Sequence, residues 1–279
     1  MNEKLVAADL WHDTIALVGR HFKIFAVIAG VVVIAPALLS RIMFSEMAEL
    51  VASGKTPTEL PRGYWLYMVS YITVTLVGLN SIAAMAADPE EGNGRTPGAI
   101  VRSVFPAIGK ALLAALIFFI THVASILVLA ITLGILFAVV AIVTGASSGA
   151  NAQQMRVFIW IGVAVAFAIV VPVTIWIGSR LSPLTGVYLR EPVSVIEGIK
   201  RAWALSDGSA WPIAKLVFVV SILAFALSAF QFGLFKMGLG IGIAGIFVIV
   251  AMGGLGALLF VYQAAGMGLV YRRLCEISE

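Results

Sequence analysis

The sequence predicts an all-α membrane protein: six transmembrane helices, short cytoplasmic amphipathic helices, and both termini in the cytoplasm. Three observations predict it. The 279 residues are 61% hydrophobic and only 11% charged, against about 25% charged in soluble domains, and no water-soluble core can use so much apolar surface. Several apolar runs exceed the roughly 18 residues that mark a spanning helix. When six spans are threaded with both ends inside, thirteen of the 18 Lys and Arg residues fall on the inner side. That is the asymmetry of cytoplasmic loops. The whole of 1–279 reads as one polytopic domain. Its single cysteine, Cys275, excludes an intramolecular disulfide and a cysteine-based zinc site within one chain.

In chain order, Met1–Arg20 carries Glu3, Asp9 and Asp13 and lacks the apolar core of a cleavable signal. Within it, Leu5–Val18 places Trp11, Thr14, Ile15 and Val18 on one face. This reads either as an interfacial helix or as a plain lead-in. Phe22–Phe44 is the first span, and Pro36 inside it predicts a kink. After a polar loop, Tyr64, Trp65 and Tyr67 open the second span at headgroup level. That span contains Asn80 and runs to about Ala87, followed by the acidic turn Asp88–Gly94. Thr96-Pro97 reads as the start of a short amphipathic segment with Ile100, Val101, Val104 and Phe105 on one face, ending at Pro106.

Ala111–Val143 is apolar throughout, longer than the about 20 residues a straight span needs. One long helix projecting past the membrane is the preferred reading, and a span plus a re-entrant piece broken near Gly134 is the alternative. Splitting it into two full spans would put the C-terminal half on the wrong side by charge. The fourth span is Val157–Gly178, with Pro172 inside, and Ser179–Arg190 reads as its extension. The fifth is Ile213–Phe235. The glycine-rich sixth runs from about Ile241 to Tyr271 and ends in Tyr271-Arg272-Arg273.

Between the fourth and fifth spans lies the least greasy helical stretch, Ser194–Lys215. Ser194 and Glu197 have capping-box spacing. Val195, Ile199, Ala202 and Trp203 then share a face, and Gly208 is placed to stop the helix through a left-handed turn. Proline at Trp211-Pro212 suits the next helix start. Three times, an amphipathic segment with a bulky residue leads through a lysine into a span: Trp11 and Lys23, Phe105 and Lys110, Trp203 and Lys215. This suggests a three-fold repeat of surface helix plus two spans.

Glu197–Gly208 with Trp211 after it, Pro183 and Leu189–Glu191 before it, and the closing Tyr271-Arg272-Arg273-Leu274 together resemble the glycerophosphoryl diester phosphodiesterase membrane-domain family. The chain departs from the family pattern at Ala202, where serine is frequent, and at Asp207, where a basic residue is frequent. The resemblance implies a six-helix protein of the bacterial cytoplasmic (inner) membrane. The family name comes from members fused to a soluble phosphodiesterase barrel. The carboxylates and histidines of that enzyme have no counterpart here, and no soluble domain is left to hold them.

Two sets of residues are candidates for function. Arg180, Arg190, Lys200, Arg201, Trp203 and Trp211 read as a basic, aromatic surface for anionic phospholipid headgroups or a protein partner. Such attraction is worth about 1 kcal/mol per basic residue near the surface, and plain positive-inside anchoring explains the same charges. His122, beside Thr121 and Ser125, together with Asn80 and Gln263, reads as an intramembrane polar site; Gln231 is also at membrane depth. Such residues either bind a ligand or hold helices together. No span carries a charge at its centre, which speaks against proton- or sodium-driven transport. The glycine spacing Gly238–Gly242 fits a homo-oligomer or packing within the monomer equally well. Basic residues are too few and too scattered for nucleic acid. H-E-x-x-H, P-loop and G-x-S-x-G patterns are absent, and Gly92-Asn93-Gly94 is a lone turn. The expectation is therefore a non-catalytic membrane protein without a cofactor, in a structural, accessory or envelope-maintenance role. The alternative is a transporter of a lipid or small solute through a cavity among the six helices.

Overall fold

The computed structural model describes residues 5–44, 63–88, 95–143, 152–237 and 242–278. The polar loop before Tyr64, most of the acidic turn after Asp88, the loop after Val143 and most of Gly238–Gly242 lie outside the described residues. Among the described residues, six helices are long and apolar enough to cross a membrane, starting at Phe22, Tyr64, Pro97, Ala168, Ala210 and Gly245. The chain is a multi-pass membrane protein.

The first helix, α1 (Ala7–Arg20), buries Leu10, Thr14, Leu17 and Val18. The expected face is therefore rotated: Ile15 is exposed, and Trp11 sits at the margin, stacked on Tyr262 at 5.6 Å. The helix leans along the last span, which selects Leu10 and Leu17 over Ile15 as the buried positions. Next come α2 (Phe22–Ala29), a π-helical turn (Gly30–Ile34) and α3 (Ala35–Met43), which together form the first span. The irregularity expected of Pro36 is this turn. Proline offers no N–H to the preceding turn, and the ladder widens just upstream, where the Ala35 N–H donates to the Gly30 carbonyl. Tyr67 of α4 (Tyr64–Ala87) donates its hydroxyl to the Pro36 carbonyl at 3.1 Å. Phe44 meets Tyr67 edge-on at 5.2 Å beside Tyr64, in the aromatic cluster anticipated at that end.

The long apolar run is one helix, α5 (Pro97–Val143), which resolves the two readings in favour of the first. The amphipathic segment expected as a separate piece before Pro106 is fused to it, so the middle unit of the suggested repeat has no surface helix of its own. Pro106 is exposed inside α5, and the buried face is Ile100, Val104, Ala107 and Ile108. Phe105, assigned to that face from spacing, points outward. The expected extension of the fourth span is also corrected. Helix α6 (Ala152–Leu181) stops, Ser182-Pro183 turns, and α7 (Leu184–Arg190) begins anew. A proline disfavours helical backbone at the residue before it, and the break falls there.

Helix α8 (Val195–Leu205) has the capping box in full. The Glu197 N–H donates to Ser194 Oγ at 3.4 Å, and the Ser194 N–H donates to Glu197 Oε2 at 2.9 Å. Hydrogen bonding from the Ser194 side chain, then from its backbone N–H, holds the Glu197 carboxyl below its ordinary range. Gly208 follows with φ of 74° and turns the chain into α9 (Ala210–Lys236). Helix α10 (Gly242–Ser278) is the hub, packing on α1 to α4 and α7 to α9.

Small residues make that hub possible. A Cβ on Gly268 would run into the Ala83 carbonyl of α4, and one on Gly186 would overlap the Tyr271 ring. Gly266 faces Leu216 and Thr14, while Gly253 and Gly256 face Ile34 and Val33. These glycines serve packing within the chain.

The core is lopsided. Leu17, Phe25, Ile82, Val261 and Ala265 form one buried cluster. Leu10, Val187, Ala202, Ile213 and Val270 form a second. Among the described side chains, α5 buries none beyond Ala114, α6 none before Ser179 and α9 none beyond Val220. Their outer halves expose Leu127, Ile135, Phe225 and Phe230.

Candidate functional site

The basic residues gather where α1, α7 and α8 meet the ends of the spans, here termed the basic end, but they do not form one free patch. Arg180, at the end of α6, is held between two indoles. Its guanidinium carbon lies 5.6 Å from the Trp176 ring centre and 5.3 Å from that of Trp203. The two rings meet edge-on at 5.2 Å. Both terminal nitrogens donate to Asp207 Oδ1 at 3.1 Å, and Nε is buried without a partner. Arg190 reaches across to α4, where Nη2 donates to the Ala84 carbonyl at 3.3 Å and Nη1 lies 3.6 Å from Asp88. A cation at the last turn of a helix meets both the open carbonyls and the negative dipole end.

Arg201 pairs with Glu191 at 3.3 Å, and Glu191 also accepts from the Tyr271 hydroxyl at 3.3 Å, so one carboxylate ties α8 to α10. Lys110 donates to the Val193 carbonyl at 2.7 Å, and Arg273 pairs with Asp13 of α1. Of the six residues singled out from the sequence, Lys200 and Trp211 present open side chains, the indole of Trp211 being 78% exposed. Arg180, Arg190 and Arg201 are engaged in the fold. Sequence reasoning missed their partners: Asp207 and Glu191 share the connection between the fourth and fifth spans with the arginines, but Asp88 ends α4, far from Arg190 in sequence.

The second candidate set lies in the interior. Three apolar cavities adjoin one another. One, of about 390 Å³, lies between α4, α5, α6, α7 and α10 and is lined by Asn80, Thr121, Ser125, Ser182, Tyr188 and Met267. A second, of about 280 Å³, takes Thr174, Ser182, Ser221 and Gln263. It shares Phe118, Gly178, Ser182 and Met267 with the first. A third, of about 340 Å³, takes Tyr67, Tyr71, Ser228, Gln231 and Gln263, and shares Val220, Ala224 and Gln263 with the second. Among the described residues, no Asp, Glu, Lys or Arg lines any of the three.

Asn80 and Gln263 are thus both cavity residues, in different chambers. His122 follows Thr121 on α5, but its side chain lies outside the described set. The hydroxyls of Thr174, Ser182 and Ser221 carry no spacing signal and could not be singled out in a greasy sequence. Among the described residues, no group of three His, Cys, Asp or Glu side chains converges to hold a metal. In comparisons with known proteins, no family model, no curated protein and no solved structure matches the chain.

Proposed function

We propose that this chain handles lipid inside the membrane, without catalysis, along a groove beside α9 and α10. The observation that carries this is the continuity of the second and third cavities through Gln263. On α10 their lining runs from Val270 to Ile249. At 1.5 Å per residue that is about 31 Å, close to the roughly 30 Å hydrocarbon thickness. Hydroxyls and amides recur along it, at Ser182, Thr174, Ser221, Gln263, Ser228 and Gln231. A polar headgroup moving along that line trades one hydrogen-bond partner for the next, while its chains stay in the bilayer. The absence of charge from the lining suits a neutral or zwitterionic headgroup over an ion.

The protein belongs, on this reading, to a bacterial cytoplasmic membrane, with both termini in the cytoplasm. The resemblance to the phosphodiesterase membrane-domain family and the sidedness of the basic residues support that placement. The basic end then faces the anionic inner leaflet. Exposed Lys200, Lys215 and Trp211 favour a second, accessory reading in which this end docks on headgroups or a partner.

Liposomes with and without the protein, carrying a headgroup-labelled phospholipid and an impermeant quencher, separate the two. Translocation predicts loss of the protected half of the signal, slowed about tenfold by Gln263→Leu, the effect of one lost hydrogen bond. Signal equal to that of empty liposomes overturns the groove. Lipid retention that falls when Lys200 and Arg201 are changed to Glu would then support the accessory reading.

A further inference from the structure

The geometry points to a further binding site, adjoining the groove at Ser182 and Met267, in the cavity between α4, α5, α6, α7 and α10, for a neutral lipid alcohol of the diacylglycerol type. The inference rests on Asn80 and its surroundings, independently of the groove. Asn80 is 1% exposed, lines the cavity, and donates from Nδ2 to the Leu76 carbonyl at 2.7 Å. Its Oδ1 is buried and accepts nothing. An acceptor left in that state is costly and gains most from a donor brought by a ligand.

Four of the five hydroxyls in the lining define the ligand further, because their protons are already committed; Thr185 is the exception. Thr121 donates to the Ile117 carbonyl and Ser125 to that of Thr121, both at 2.8 Å. Ser182 donates to the Ser179 carbonyl at 2.9 Å, and Tyr188 to that of Val195 at 2.8 Å. What these oxygens still offer is lone pairs. Among the described residues, the polar part of the cavity therefore offers more acceptors than donors and carries no Asp, Glu, Lys or Arg. A phosphodiester, with acceptors and a negative charge, is mismatched to it. An ammonium headgroup finds no carboxylate there. A hydroxyl supplies the missing proton without a charge to desolvate.

The rest of the lining fits acyl chains. On α5 it runs from Ala111 to Ser125, about 21 Å of helix, and the other contributors include Leu76 and Leu79 of α4 and Ile177 and Leu181 of α6. The exposed positions of Thr121 and Ser125 place the way in at the lipid-facing side of α5.

The test uses the full chain in nanodiscs with a diacylglycerol bearing a photoreactive group in one acyl chain. Label is expected on α5 between Ala111 and Ser125. Dioctanoylglycerol should displace it, whereas its hydroxyl-blocked methyl ether and dioctanoyl phosphatidylglycerol should compete about tenfold more weakly or less. Asn80→Leu should remove the discrimination between alcohol and ether. Because that buried change can disturb folding, Thr121→Val with Ser125→Ala provides a second variant, at exposed positions, which should weaken labelling. Gln263→Leu should leave labelling unchanged, so failure of the groove and failure of this site are told apart. Equal competition by the ether, or labelling that no competitor saturates, overturns the proposal.

Discussion

Arg180 shows how a charge is kept at the rim of an apolar bundle. Its partner Asp207 is 81% exposed, so the ion pair itself is worth about 1 kcal/mol or less. The two indoles contribute more, through cation–π attraction and packing of the side-chain stem. Asp207→Asn should therefore barely move the thermal midpoint in detergent, while Arg180→Ala or Trp203→Ala should cost about 1–3 kcal/mol. Equal losses from all three would reverse this order. His21 makes a second case. It is buried beside Phe25 with Nε2 unpartnered, and burial, followed by the charge of Arg20, holds its pKa below the ordinary 6.5. The fold favours the neutral ring, so the unfolded chain takes up the proton first. Stability should then fall as pH drops below about 6.5 and level off once the native ring is also protonated. His21→Phe should flatten that slope in thermal unfolding measured against pH. At this scale the sequence was readable for charges and silent on their counterions. Pairings such as Arg273 with Asp13 join residues from opposite ends of the chain, and no local spacing announces them.

Elements were legible where their cause is local. The capping box of α8 and the turn at Gly208 depend on residues a few positions apart, and both were readable. The effect of Pro36 was legible as an irregularity, but its form as a π-helical turn depends on how Gly30–Ile34 packs against α10. The face of α1 was misassigned for the same reason: Leu10 and Leu17 are buried by a helix far away in sequence. Glycines follow this division. Gly268→Ala would press a methyl group into the Ala83 carbonyl, whereas Gly254→Ala has nothing within 4 Å. The first should destabilise the protein by about 1–3 kcal/mol or prevent its accumulation. The second should be neutral or slightly stabilising, because alanine is the better helix former. Comparable midpoints for the two variants would mean that α10 does not pack on α4 in this way.

For the whole molecule, six spans could be counted from hydropathy, while thirteen basic residues on one side set an expected sidedness. The cavities could not, because a cavity is space left between helices and no residue encodes it alone. The threading is testable with the single cysteine removed by Cys275→Ser and a new one introduced by Lys200→Cys. A membrane-impermeant maleimide should label that site in inside-out vesicles and spare it in intact spheroplasts. The opposite pattern would invert the molecule. The uneven distribution of buried side chains has a mechanical consequence. Among the described side chains, α5, α6 and α9 are packed at the basic end and carry exposed apolar surface beyond it, so the lateral pressure of the bilayer should set how far these three stand apart there. Thin or strongly curved membranes should part them, and thick, tightly ordered ones should press them together.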